Sequence, residues 1–174
     1  ELEGNLNLAN YSKSTSAFSK MKIGGNVSYL YSAIEAENNT LLTNNKRQLQ
    51  GASPLLINAD WSYQLIKTDK LETSLSLIYS YNSKKLFSAG VENAGDRYEL
   101  GAHTLNVILK SKINEDWAVG LNFNNILNPE YSIVQETNIY SKERDDNQSF
   151  KGGDLLVDQY KKGMNIGFSL SRTL

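Results

Sequence analysis

The chain has 174 residues and a formal net charge of -1, so it carries no basic field for nucleic acid and no partner of that kind is expected. It has no cysteine, which excludes disulfides and thiolate metal sites. There are 2 prolines, 12 glycines and 10 tyrosines and no Ala-Leu-Glu-Lys blocks, a composition that favours strands over helices. No apolar run approaches the roughly 18 residues of a membrane helix, and no signal peptide is visible, since Glu1 already reads as part of a strand.

Period-two alternation then recurs along the chain. The opening ELEGNLNLA places Leu2, Leu6 and Leu8 on one face. After a modest link, 10–20, the run 21–33 sets Met21, Ile23, Val27, Tyr29, Tyr31 and Ala33 opposite Lys22, Asn26, Ser28 and Ser32. A long polar segment, 37–53, follows. The next run, LLINADWSYQL, is two-sided: Leu55, Ile57, Ala59, Trp61, Tyr63 and Leu65 alternate with Asn58, Asp60, Ser62 and Gln64, with Leu56 the one break in the pattern. The tight polar turn 67–70 leads to a run with Leu71, Leu75, Leu77, Tyr79 and Tyr81 on one face, and a second long segment, 83–101, comes after it. His103, Leu105, Val107, Leu109 and Ile113 mark the fifth run, and a tight turn at 114–116 leads to Trp117, Val119, Leu121 and Phe123. A third long segment, 135–159, precedes the last run, with Met164, Ile166, Phe168, Leu170 and Leu174 on one face.

This pattern predicts an all-β, antiparallel fold of about seven strands of roughly 9–15 residues, longer than the usual 5–6 and long enough to cross a bilayer as tilted strands. Short links on one side and long ones on the other match the short periplasmic turns and long outer loops of a transmembrane β-barrel. Tyr29, Tyr31, Tyr79 and Tyr81 fall at the long-loop ends, Trp61, Tyr63, Trp117 and Phe168 toward the short-turn ends, and aliphatic residues between them. Two aromatic belts are expected of a wall between two membrane–water interfaces, with its midplane near Ala59 and Leu75. On that reading lipid meets the face of Ala59 and Trp61, and water meets Asn58, Asp60, Ser62 and Gln64. A soluble sheet on a core is the competing explanation of the alternation, but it gives no reason to sort aromatics by height.

Three stretches resemble TonB-dependent outer-membrane receptors. In KRQLQGASPLLINADWSYQ, the residues Arg47, Leu49, Gln50, Gly51, Ser53, Pro54, Asn58 and Ala59 follow the family pattern where a long loop returns into a strand. In GLNFNNILNPEYS, the residues Asn125, Leu127, Asn128, Pro129 and Tyr131 resemble its penultimate strand, and Tyr160 to Gly163 resemble the entry to its last strand. The resemblance spans nearly the whole chain and departs from the family at Leu174, where an aromatic is usual. It implies that residues 1–174 are the C-terminal third of a plugged barrel of about 22 strands, from the group often bearing a carboxypeptidase-regulatory-like N-terminal extension. It further implies an outer-membrane location with a periplasmic C-terminus. The partners implied are the rest of the barrel and its plug, TonB acting through an N-terminal region, membrane lipids, and an outer-membrane surface lipoprotein. Physical reasoning also points to a fragment, because about seven strands is an odd count and an open sheet leaves edges that lipid does not tolerate.

The implied function is active uptake of a scarce nutrient bound at the outer loops, with no enzymatic activity and no cofactor. An iron chelate, an oligosaccharide, a peptide and a vitamin all remain open as ligand. The alternative is a small stand-alone or scaffolding outer-membrane barrel without transport, with an eighth strand hidden in 83–100 or 136–159; a soluble lipid-binding barrel is the third reading. Individual residues give no catalytic or metal site, and the ligand-binding residues are unknown. His103, the single histidine, reads as an interfacial residue. Glu143, Asp145, Asp146 and Asp154 lack EF-hand spacing and read as a solvated loop rather than a calcium site. Asp60 and Glu72 fall on the wet face, as ligand contacts or as partners of the plug, and Lys110 and Lys112, on the same face near the periplasmic end, read as lumen or interface charges.

Overall fold

The computed structural model describes residues 2–7, 17–36, 41–92, 94–114, 116–137 and 154–173. The alternating runs build one seven-stranded antiparallel sheet from β1 (Leu2–Asn7), β2 (Met21–Tyr29), β5 (Leu55–Lys67), β6 (Leu71–Asn82), β9 (Ala102–Ile113), β10 (Trp117–Asn124) and β13 (Asn165–Arg172), in that order. The all-β class and the seven strands of this main sheet are as the alternation predicts. The sheet is not closed into a barrel: β1 and β13 are its two edges. No helix among the described residues is long and apolar enough to cross a membrane, which says nothing of strands.

The connections alternate in length as expected. Residues 68–70 form a tight turn in which the Thr68 N–H donates to the Leu71 carbonyl (2.9 Å) and the Leu71 N–H to Thr68 Oγ1 (3.0 Å). Asn114, at φ +50°, makes the second tight turn, and its N–H donates to the Lys70 carbonyl (2.7 Å), so the two turns lie side by side. Asparagine tolerates this left-handed backbone better than most residues.

The long segments are not plain loops. Ile34–Glu35 (β3) pairs with Lys46–Arg47 (β4). Lys85–Ser88 (β7), Arg97–Glu99 (β8), Glu130–Gln135 (β11) and Leu155–Lys161 (β12) form a four-stranded sheet in the order β12-β11-β8-β7, built wholly from the long-connection end. The described parts of 83–100 and 136–159 therefore supply this rim sheet and no eighth strand of the main sheet. The core lies here too: Leu86 is fully buried, with Ile133, Val134 and Tyr131 close behind, while Ile166, Phe168 and Leu170 on the main sheet are exposed.

The register fixes which residues share a face. One row across the main sheet runs Leu6, Ile23, Trp61, Leu77, Val107, Phe123 and Ile166. The next, toward the tight turns, runs Met21, Tyr63, Leu75, Leu109, Leu121 and Phe168. The opposite face carries the row Asn5, Gly24, Asp60, Ile78 and Asn106.

Three expectations change. Leu65 is not part of the alternation: the β5–β6 register shifts between Gln64 and Ile66, so Ile66 stands opposite Thr73 and Lys67 opposite Glu72. An extra residue in one strand flips the faces beyond it, and so Ile66, not Leu65, continues the apolar face. Ala59 stands directly opposite Tyr79, so it cannot mark the middle of a band whose end Tyr79 marks. Trp61 is the central residue of β5 and aligns with Phe123, whereas Trp117 opens β10 beside Ile113 and Arg172; only Trp117 sits at the short-turn end.

Candidate functional site

The family-like stretches are junctions between the main sheet and the rim. Gly51 adopts φ +79°, a conformation glycine reaches without strain, and its N–H donates to the Leu86 carbonyl (2.8 Å). Beside it the Gln50 side chain donates to the Phe87 carbonyl (2.7 Å), and Ser53 Oγ to the Ser83 carbonyl (3.2 Å). The Leu30 N–H donates to the Pro54 carbonyl (2.8 Å). The second stretch turns through Asn125 (φ +56°) and Asn128 (φ +42°) and clasps Gly163, the residue before Met164 and β13. These residues shape backbone and have no chemistry of their own.

The charged groups of the rim converge on Tyr98 of β8. Lys84 Nζ lies 4.2 Å above the Tyr98 ring, 3.6 Å from Asp154 and 3.8 Å from Glu136. Burial, and after it the negative charges of Glu136, Asp96 and Asp154, hold the Tyr98 hydroxyl above its ordinary pKa. Asp96 is 2% exposed; its carboxylate accepts from the Gly90 N–H (2.7 Å) and from Asn44 Nδ2 (2.9 Å), tying segment 41–45 to β7 and β8. Lys85 pairs with the buried Glu99 at 3.1 Å. A stacked pair, Tyr131 on Tyr160 (centroids 5.3 Å apart), lies on β11 and β12, with Lys162 Nζ 4.0 Å over Tyr131. Aromatic faces flanked by fixed charges suit binding rather than bond making. Among the described residues no group of three His, Asp or Glu could hold a metal ion.

The residues singled out from sequence do not form one site. His103 stands opposite Tyr81, stacked on its ring at 4.6 Å, with Nδ1 2.6 Å from the Tyr79 hydroxyl. This is an aromatic cluster at the rim end of the apolar face. Asp60 lies on the opposite face, where a methyl group on Gly24 would overlap its carboxylate. Glu72 accepts from Gln64 Nε2 (3.2 Å) and stands opposite Lys112. Lys110, Lys112, Ser169 and Ser171 line a shallow hollow at the short-turn end. Asp154 joins the rim cluster, whereas Glu143, Asp145 and Asp146 lie outside the described residues. Sequence reading missed Lys84, Asp96 and Tyr98; the signal was the apolar pair Leu86–Phe87 inside a segment, 83–101, read as a long polar connection.

No family model matches the chain. Neither a curated protein nor a solved structure matches it significantly.

Proposed function

We propose that residues 1–174 form part of the wall and outer rim of a transmembrane β-barrel in an outer membrane, within a receptor of the TonB-dependent kind. The whole receptor binds a scarce nutrient at its rim and imports it with TonB-derived energy. The observation that carries this reading is the apolar face of the main sheet. It runs unbroken from Ile23 to Ile166 through Trp61, Leu77, Val107 and Phe123, and the residues of its last strand are uncovered. Soluble monomers rarely expose apolar patches beyond a few hundred Å². Lipid is the solvent that makes such a face stable, with the Asn58 and Asp60 face toward a watery lumen.

Further support comes from Tyr79, Tyr81 and His103 at one end of the face and Trp117 with Arg172 at the other, where Arg172 lies 5.4 Å over the indole. The sheet's open edges call for further strands, since lipid does not tolerate unpaired backbone. The rim sheet, with Tyr98 and Lys84, is the proposed ligand-facing part, because recognition sits on connections held by a rigid scaffold.

Extraction of the protein from its native membranes, followed by intact mass measurement, tests the reading. A detergent-dependent parent several times larger than 19.5 kDa is expected. A mass near that value points instead to the small stand-alone or scaffolding barrel, and solubility without detergent overturns the membrane assignment altogether.

A further inference from the structure

The two edges of the rim sheet are finished differently. Along β7, the Leu86 and Phe87 carbonyls are taken by Gly51 and Gln50, so that edge is closed. At the other edge lies β12, exposed along its whole length, with Leu155 and Leu156 more than half exposed and Val157 and Tyr160 also open.

The register shows which backbone groups β12 turns outward. The Ser132 carbonyl accepts from the Leu100 N–H (2.9 Å), so Ser132 points away from β12 and toward β8. In an antiparallel pair, residues opposite each other either both point inward or both point away. Gln159, opposite Ser132, therefore turns its N–H and carbonyl to the free edge. That N–H is held by the carboxylate of the preceding residue, Asp158, at 2.7 Å.

We infer that β12 is a docking edge for an extended peptide, which adds as a further antiparallel strand and replaces the Asp158 carboxylate at the Gln159 N–H. Backbone that alternates outward N–H and carbonyl groups is matched by another extended chain, and side-chain pockets then select the sequence. Charge narrows the class. Asp158, once released, faces a basic residue of the incoming strand, while Lys161 toward the other end favours an acidic one. Leu156 and Tyr160 favour apolar residues near those positions. The occupant is thus an apolar peptide with one basic and one acidic residue, read antiparallel to β12. The inference concerns the rim alone and stands apart from the membrane reading.

The probe is fluorescein-labelled Glu-Val-Thr-Lys-Val-Val-amide, titrated against the full chain by fluorescence anisotropy. Gln159→Pro removes the outward N–H without touching the β11 ladder, and proline is accepted on strand edges. Gln159→Ala keeps the N–H but loses the same side chain, so it controls for the Gln159 contacts to Glu130 and Ser132. Saturable binding is expected, weakened about tenfold or more by Gln159→Pro and changed less than about threefold by Gln159→Ala. Hydrogen exchange of the β8 and β11 amides confirms that the rim of the proline variant remains folded. Equal binding by the two variants overturns the inference, as does no binding by the parent chain. Concentration-dependent dimers that Gln159→Pro abolishes, with no peptide bound, would assign the edge to a second copy instead.

Discussion

Asn125 and Gly163 hold the end of β10 against the start of β13: Asn125 Nδ2 donates to the Gly163 carbonyl at 2.8 Å, and the Gly163 N–H donates to Asn128 Oδ1 at 3.0 Å. The Asn125 N–H is itself held by Asn106 Oδ1 (2.8 Å), so the clasp reaches back to β9. Gly163 sits at φ +80°, and an L side chain there costs about 1–2 kcal/mol. Gly163→Ala should lower stability by that amount, and Asn128→Ala by about 1 kcal/mol for the lost hydrogen bond. Urea unfolding of the chain in detergent micelles measures both. Wild-type midpoints for both variants would show that the clasp is decorative.

The rim should fail independently of the main sheet. A methyl group on Gly95 would overlap the Glu136 carbonyl, and backbone cannot step aside as a side-chain tip can. Gly24→Ala meets only the side-chain ends of Asp60 and Asn5. Gly95→Ala should open the β8–β11 pairing and expose the rim to protease while β5, β6 and β9 keep their exchange protection. Gly24→Ala should leave both intact.

Asp96→Ala strands the Gly90 N–H and the Asn44 amide beneath the rim sheet. The loss is about 1–3 kcal/mol, the usual cost of unpaired buried donors. Protease sensitivity between residues 41 and 97 should rise, and a cleavage pattern like that of the wild type would contradict the role given to this carboxylate.

Alkaline pH gives a separate handle. Burial, then Glu136, Asp96 and Asp154, favour the neutral Tyr98 hydroxyl in the folded chain. Its contribution to stability is fully present below the ordinary tyrosine pKa of 10.0 and is lost as pH rises through the higher folded value. Absorbance at 295 nm should show a tyrosine step above the ordinary value of 10.0, and Tyr98→Phe should remove it. A titration unchanged by the substitution would refute the assignment.

For the main sheet, lysine substitutions test the proposed membrane assignment and which side would meet lipid. Leu75→Lys, in the row of Tyr63, Leu109 and Leu121, should cost roughly 2–4 kcal/mol in refolding. Ala59→Lys, opposite Tyr79, should cost less. Asn58→Lys should be mild, losing only the Asn58–Asn26 hydrogen bond of 2.9 Å. In single-tryptophan variants, brominated lipids should quench Trp61 at greater depth than Trp117. If Asn58→Lys proves the worst of the three, the two faces are exchanged.

Period-two alternation made the main sheet legible, because each strand there has one apolar and one polar face. It failed where two apolar residues adjoin, as at Leu65–Ile66, since the pattern does not say which of the two is the bulge. The rim strands were illegible for a related reason. β7 and β8 are short, the β7–β8 and β11–β12 ladders shift at Leu86/Ser88 and Ile133/Val134, and β8 finds its partner β11 only across β9 and β10. Relative height was also beyond the sequence, since the alignment of Ala59 with Tyr79 depends on inter-strand register. The rim also decides how its longest connection can be shortened: deleting 136–159 would remove most of β12, whereas a cut confined to 138–153 spares it.

The two sheets imply an order of events. Between β5 and β6, and between β9 and β10, the main sheet joins strands that are adjacent in the chain, so those hairpins close small loops. The rim cannot form until β11 and β12 have been delivered, and β8 must by then have waited through two intervening strands. Non-local pairings of this kind are slow, because chain entropy is lost before contacts repay it. The burial of Leu86 and Asp96 therefore comes after the hairpins: a chain stalled before residue 130 has hairpins but no closed rim, and Trp61, paired with Leu77 inside the β5–β6 hairpin, should report on an earlier folding phase than Tyr98.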